Sequence, residues 1–180
     1  MTEHQFSCVG IVGSGQMGAG IAQVIAAKGL EVVLMDLSPE RLSTVKASLA
    51  KKSHQLYEKK RYSVEEKTNV MEKIRYVTNL DSLASCDLVI EAICENEVLK
   101  KELFVSLDQI VRADAVFASN TSSISIARLA SVTRRAEQFI GMHFMNPVPV
   151  MRLVELISTI ATKQEVTKRC VQFVHFIGKK

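Results

Sequence analysis

Short solid apolar runs alternate along this chain with stretches of helical periodicity, and that alternation predicts a parallel α/β sheet. Residues 6–12 form a buried-strand run stopped by Gly13. Met17, Ile21, Val24 and Ile25 then recur at helical spacing until Gly29, and residues 31–36 make a second β-branched run. Strand, glycine turn, helix and strand in so short a span is a βαβ unit. Ser38 and Pro39 sit as N-cap and first residue of a long lysine-rich helix from 41 to about 60. A capping-box pattern at Ser63 and Glu66 starts another helix, running to 73. This charged pair is longer than a minimal crossover needs, so it reads as a helical hairpin inserted beside the sheet. The pattern then resumes with strands at 87–92, 115–119, 139–144 and 153–157, and helices at 96–111, 123–130 and 165–177. The expected fold is therefore α/β, a Rossmann-type, mostly parallel sheet with helices on both faces, in one domain spanning 1–180.

Composition narrows the function classes. A chain of 180 residues with 47% apolar and 23% charged residues can bury a sizeable core as one domain. The net charge of +4 is scattered, and there is no Trp, so a basic stripe with stacking aromatics is missing and nucleic acid is not an expected partner. No apolar run approaches the ~20 residues of a membrane span. Residues 1–5 carry an acid and no basic stretch, unlike a signal peptide, which points to a cytoplasmic protein. The four cysteines, Cys8, Cys86, Cys94 and Cys170, have no metal-ligand spacing and read as buried or partly buried free thiols; no metal is expected.

The turn Gly13-Ser14-Gly15-Gln16-Met17-Gly18 changes this from a fold to a site. The GxGxxG pattern alone is weak, but here it follows a strand, opens a helix, and precedes a strand that ends on an acid, Asp36. Gly13 permits the tight turn, Gly15 lets backbone approach a pyrophosphate, and Gly18 allows close packing. The helix N-terminus favours the anion. Asp36 can accept hydrogen bonds from a ribose diol and repels a 2′-phosphate, so NAD is the expected cofactor. The ends of the later strands add Glu91 and Glu95, then Ser119 to Ser122, then His143 with Asn146, and Glu155. Each alone has a structural explanation, since Ser and Asn cap helices and a lone His is commonly a packing residue. Together they fall on the strand edge where ligands of such sheets bind.

Three segments give the chain a family resemblance: Ser119-Asn120-Thr121-Ser122-Ser123, Gly141-Met142-His143-Phe144-Met145-Asn146-Pro147-Val148-Pro149, and Leu153-Val154-Glu155. With the glycine turn and Glu91-Ala92-Ile93-Cys94-Glu95-Asn96, they resemble the NAD-binding domain of L-3-hydroxyacyl-CoA dehydrogenases, and bacterial 3-hydroxybutyryl-CoA dehydrogenases look nearest. The resemblance implies oxidation of a 3-hydroxyacyl-CoA with NAD. In it His143 is the general base, Glu155 orients and supports the imidazole, and Ser122 lies between cofactor and substrate oxygen. Gly13, Gly15, Gln16, Met17, Gly18 and Asp36 hold the dinucleotide, Asn120 and Asn146 touch the nicotinamide side, and Glu95 and Lys100 the adjoining ribose. The lysine-rich arm from Lys46 to Lys60 corresponds to a hairpin that meets the CoA moiety. The family's helical C-terminal domain, which closes the acyl pocket, has no counterpart among these residues. Three readings follow: part of a complete dehydrogenase, a module that needs a separate helical partner chain, or a non-catalytic NAD-binding module. An exposed apolar face over residues 153–177 is expected to favour self-association into a homo-oligomer.

Overall fold

The computed structural model describes residues 6–180; the reading of the N-terminal segment lies outside the described residues. Strands β1 (Cys8–Val12), β2 (Glu31–Met35), β3 (Ile74–Val77), β4 (Leu88–Glu91), β5 (Val116–Ser119), β6 (Phe139–Phe144) and β7 (Val154–Ile157) form one sheet in the order β3-β2-β1-β4-β5-β6-β7. All neighbours are parallel except β6 and β7. The helices are α1 (Gln16–Ala27), α2 (Pro39–Glu58), α3 (Val64–Glu72), α4 (Glu97–Ile110), α5 (Ile126–Ala130) and α6 (Gln164–Phe176).

Strand side chains alternate between two cores, which is why the central strands read as unbroken apolar runs. Val9 and Ile11 of β1, Val32 and Leu34 of β2, and Leu88 and Ile90 of β4 face α1, α3 and α6. Val12, Val33, Met35 and Val89 take the other parity and pack with Phe104 and Leu107 of α4 and Leu129 of α5. On that second face Phe104 meets Phe139 edge-on, with ring centroids 4.6 Å apart. The chain passes from β3 at one edge to β4 beside β1, so α1 and α4 leave adjacent strands toward opposite faces. The crevice between them is the topological switch point where such sheets bind ligands.

Strand β3 was not anticipated, and its recovery corrects the reading of the helical pair. Helices α2 and α3 are the crossover from β2 to β3 rather than an insertion beside the sheet. Leu42 and Leu49 of α2 and Val70 of α3 join the core, and Lys28 pairs with Glu66 at 2.6 Å to tie α3 to α1. Exposed residues gather at the far end of the pair, from 57 to 61. The caps follow the sequence: Ser38 accepts from Arg41 N, Ser63 and Glu66 complete the capping box, Asn96 accepts from Leu99 N, and Gly29 and Gly178 have left-handed φ. One cysteine departs from expectation: Cys94 is exposed, because β4 ends at Glu91 and the chain then leaves the sheet. Apolar side chains Val150, Met151, Leu153, Ile157 and Ile160 are also exposed around β7. No helix among the described residues is long and apolar enough to cross a membrane.

Candidate active site

At the carboxyl end of β1 the backbone turns on residues with no room for a side chain. Gly13 has φ +101°, and a Cβ there would lie 2.6 Å from the Ala92 carbonyl oxygen. A Cβ on Gly18 would lie 1.8 Å from the Gly13 carbonyl oxygen, so its tight contact is with the turn itself. Gly15 differs, because its Cβ would enter open space. It is also the N-cap of α1, whose first turn has neither a side-chain cap nor an acid. Free N–H groups beside an open backbone face are what a pyrophosphate needs.

Asp36 follows β2 and is buried beside this turn. Its Oδ2 accepts from Ser14 N at 2.9 Å and Ser14 Oγ at 2.7 Å, its Oδ1 accepts from Ser38 N at 3.1 Å, and Arg41 lies 3.5 Å away. Burial would push the carboxyl up, but these donors outweigh it and hold Asp36 below the usual carboxylate range. An ionised acid therefore stands at the wall of a cleft of about 830 Å³ that runs from Gly13 and Gly15 to Leu99 and Leu103 of α4. The open turn, the uncapped helix and this carboxylate fit the adenosine and pyrophosphate of a dinucleotide.

A second cleft, of about 320 Å³, opens beyond β4 and β5 and is lined by Met17, Glu95, Lys100, Asn120, Ser122, His143 and Asn146, among others. Its floor is ionic. Lys100 is 1% exposed and donates to Glu91 at 2.5 Å, with Glu95 at 3.3 Å; Glu91 is itself 0% exposed. Glu91 also accepts from Ile93 N and from Ser119 Oγ. Glu95 accepts from Thr121 Oγ1 and from Ser123 Oγ. Its partial burial would raise the carboxyl, yet Thr121, Lys100 and Ser123 keep it below the ordinary range. Asn120 Oδ1 accepts from Phe144 N at 2.8 Å, and Gln16 Nε2 donates to Asn146 Oδ1 at 3.1 Å across the mouth.

His143 and Glu155 are directly opposed in the antiparallel β6–β7 ladder, and His143 Nδ1 lies 2.8 Å from Glu155 Oε2. The antiparallel turn of β7 is what returns a carboxylate to the edge where β4 and β5 end. In the neutral tautomer whose Nδ1–H donates to Glu155, Nε2 is the nitrogen that can accept a proton. A third cleft, of about 410 Å³, lies on the far side and is lined by Ser122, Ser123, His143, Glu155, Ile157 and Ile160, among others. Ser122 and His143 line both this cleft and the ionic-floored one, so they form the wall between them.

Sequence reasoning missed three contributors. Glu91 was read only as a strand-end acid, whereas it is the buried anchor of Lys100 and Ser119. Thr121 was read only as part of the strand-end group Ser119 to Ser122, whereas its buried hydroxyl donates to Glu95. Gly20 had no assigned role; a Cβ there would come 3.0 Å from Val148, which docks the Asn146-Pro147-Val148 loop onto α1. The signal for Lys100 was available: it shares a helical face with the buried Phe104 and Leu107.

Comparison with known proteins adds a lineage to this geometry. A family model described as the NAD binding domain of 3-hydroxyacyl-CoA dehydrogenase matches residues 8–180. The chain is 46% identical over 172 residues to a 3-hydroxybutyryl-CoA dehydrogenase of Bradyrhizobium diazoefficiens, covering 96% of this chain and 59% of that protein. It is 41% identical over 177 residues to the mitochondrial hydroxyacyl-coenzyme A dehydrogenase of Homo sapiens, covering 95% and 56%. Among solved structures, (S)-3-hydroxybutyryl-CoA dehydrogenase PaaH1 from Ralstonia eutropha matches with a TM-score of 0.93 at 43% identity, over 97% of this chain and 62% of that one. The chain thus spans about three fifths of the length of the relatives it matches.

Proposed function

This chain belongs to the family of 3-hydroxyacyl-CoA dehydrogenase NAD-binding domains, and from that premise we propose that it is the cofactor-binding and proton-transferring part of an enzyme that oxidises (S)-3-hydroxyacyl-CoA to 3-oxoacyl-CoA. The observation that carries the proposal is the shared wall: Ser122 and His143 separate the cleft that continues from the glycine turn from the third cleft, which we assign to the acyl chain. Bound along the first cleft, NAD supplies the two-electron acceptor. The turn from Gly13 to Gly18 would hold its pyrophosphate, Asp36 its adenosine ribose, Glu95 the other ribose with the buried Lys100 anchoring that carboxylate from below, and Asn120 and Asn146 the nicotinamide amide.

His143 Nε2 accepts the proton of the substrate 3-hydroxyl as C3 is oxidised, and in the reverse direction returns it. Glu155, fixed opposite by the strand register, stabilises the imidazolium that this proton creates. Ser122 steadies the same oxygen from the loop after β5. Relatives named as dehydrogenases of 3-hydroxybutyryl-CoA and hydroxyacyl-CoA support this substrate class. The exposed row of Met151, Leu153, Ile157 and Ile160 beside the acyl cleft favours a covering helical surface, from a partner chain or a second copy, on that side.

The test is consumption of NADH by the purified chain with acetoacetyl-CoA. Turnover that depends on acetoacetyl-CoA supports the proposal, as does NADH binding with turnover restored by a helical partner domain. Failure to bind NADH contradicts it.

A further inference from the structure

The edge of the sheet opposite the cofactor carries a feature that the dehydrogenase reading does not use. Cys8, the first residue of β1, and Cys86, two residues before β4, bring their Sγ atoms within 3.6 Å of each other. The backbone that places them is tightly held. Asp87 N donates to Cys8 O at 3.0 Å, while the Asp87 carboxylate accepts from Ser7 N and Ser7 Oγ, both at 2.8 Å. Gly10 leaves the space that the Cys86 sulfur occupies, since a Cβ there would lie 3.2 Å from it. The two thiols differ in access, because Cys86 is fully buried and Cys8 partly exposed.

We infer that Cys8 and Cys86 are a two-electron redox modification site, which a hydroperoxide converts to an intramolecular disulfide. A disulfide needs the sulfurs at about 2.05 Å, so closure requires χ rotation of two side chains already in contact, one at the start of β1 and the other in the segment that leads into the neighbouring β4. Cys8, as thiolate, attacks one peroxide oxygen; the O–O bond breaks, an alcohol or water leaves, and Cys8 becomes a sulfenic acid. The Cys86 sulfur then attacks the Cys8 sulfur, the S–S bond forms, and the sulfenic oxygen leaves as water with the Cys86 proton. Two thiols are oxidised by two electrons and the peroxide is reduced by two.

The chemistry assigns these roles to the members of the pair. The hydrogen bond from Cys86 lowers the Cys8 thiol below its ordinary range; burial, Asp87 and Glu31 oppose it and Arg75 assists. The same hydrogen bond and burial push Cys86 up. Cys8 is thus the attacking, reachable sulfur and Cys86 the resolving one. The bond would join residues 78 positions apart at the amino ends of β1 and β4. The glycine turn and Glu91 sit at the opposite ends of those strands, so the clamp stabilises the sheet without entering the cofactor cleft.

The experiment treats the whole chain with hydrogen peroxide, traps remaining thiols with N-ethylmaleimide after denaturation, and maps the peptides. We expect one intramolecular Cys8–Cys86 cross-linked peptide, lighter by two hydrogens and reversed by dithiothreitol, with Cys170 alkylated. The oxidised chain should melt about 5 °C higher, with NADH affinity within twofold of the reduced chain. Cys86→Ser should instead accumulate a Cys8 sulfenic acid trapped by dimedone. Recovery of Cys8 and Cys86 as alkylated thiols, or Cys8 linked only between molecules, would overturn the inference. If the variant does not fold, the wild-type peptide map still decides. Loss of NADH binding in the reduced chain would count against the dehydrogenase reading and leave this inference standing.

Discussion

Replacing Lys100 by Met places a large, calculable stress on the floor of the cleft lined by Glu95, Asn120 and His143. The substitution keeps an unbranched aliphatic stem on α4 but removes the ammonium that lies 2.5 Å from Glu91 and 3.3 Å from Glu95. Glu91 has no access to water, so its charge is stranded. Removing one partner of a buried ion pair costs about 3–5 kcal/mol. The lower figure applies here, because Ile93 N and Ser119 Oγ still donate to the carboxylate. Against a typical total of about 5–15 kcal/mol, a loss of about 3 kcal/mol is readily measured by urea unfolding. Glu91→Gln alone leaves the ammonium with Glu95 at 3.3 Å as its remaining carboxylate and should cost somewhat less, about 2 kcal/mol. The double variant leaves two neutral groups in contact, so its cost should fall short of the summed singles by at least about 2 kcal/mol. Additive losses, or a Lys100→Met cost below about 1 kcal/mol, would refute the claim that this pair organises the cleft floor. NADH affinity supplies a second readout, since Glu95 loses a partner in both variants that lack Lys100.

Other consequences are as direct. Gly18→Ala should abolish NADH binding and destabilise the chain by more than the ~1 kcal/mol of an average point substitution, because its Cβ would lie 1.8 Å from the Gly13 carbonyl oxygen; calorimetric titration with retained binding would contradict this. Asp36→Ser removes the acid and frees Arg41, 3.5 Å from it, for a 2′-phosphate, so the NADH to NADPH affinity ratio should fall at least about tenfold; an unchanged ratio contradicts the assignment. Asp108 is held low: burial opposes, but Arg134 and Arg135 dominate. A depressed carboxylate stabilises above its unfolded value near ~3.9, and that stabilisation is lost as pH falls through the lower folded value. Asp108→Asn should therefore flatten the acid limb of stability against pH, and an unaltered limb would show that the pair contributes little.

Much of this architecture was legible because local and tertiary preferences agree. The buried strands β1, β2, β4, β5 and β6 are apolar on both faces, and the caps at Ser38, Ser63 and Asn96 are local chemistry that packing did not override. Strand β3 escaped notice for the opposite reason. Ile-Arg-Tyr-Val is an edge strand with one buried position, and it begins two residues after α3 ends, so neither run nor alternation marks it. Missing it turned a crossover into an apparent insertion. In the site, the glycine turn and Asp36 declared themselves by spacing. The opposition of His143 and Glu155 did not, because it depends on β7 running antiparallel, and a strand's direction is not written in its residues. The ionic floor shows a third kind of limit: a lysine on the apolar face of α4 was visible, but its partner lies nine residues back across the sheet edge.

The central claim, that His143 moves the substrate proton beside bound dinucleotide, is tested most directly by stopped-flow consumption of NADH with acetoacetyl-CoA, the protein in excess, comparing the chain with its His143→Asn variant. The account predicts a single-turnover rate that falls about 10²- to 10⁴-fold in the variant while NADH binds both proteins equally. An unchanged rate, or equal loss of rate and NADH binding, would contradict it.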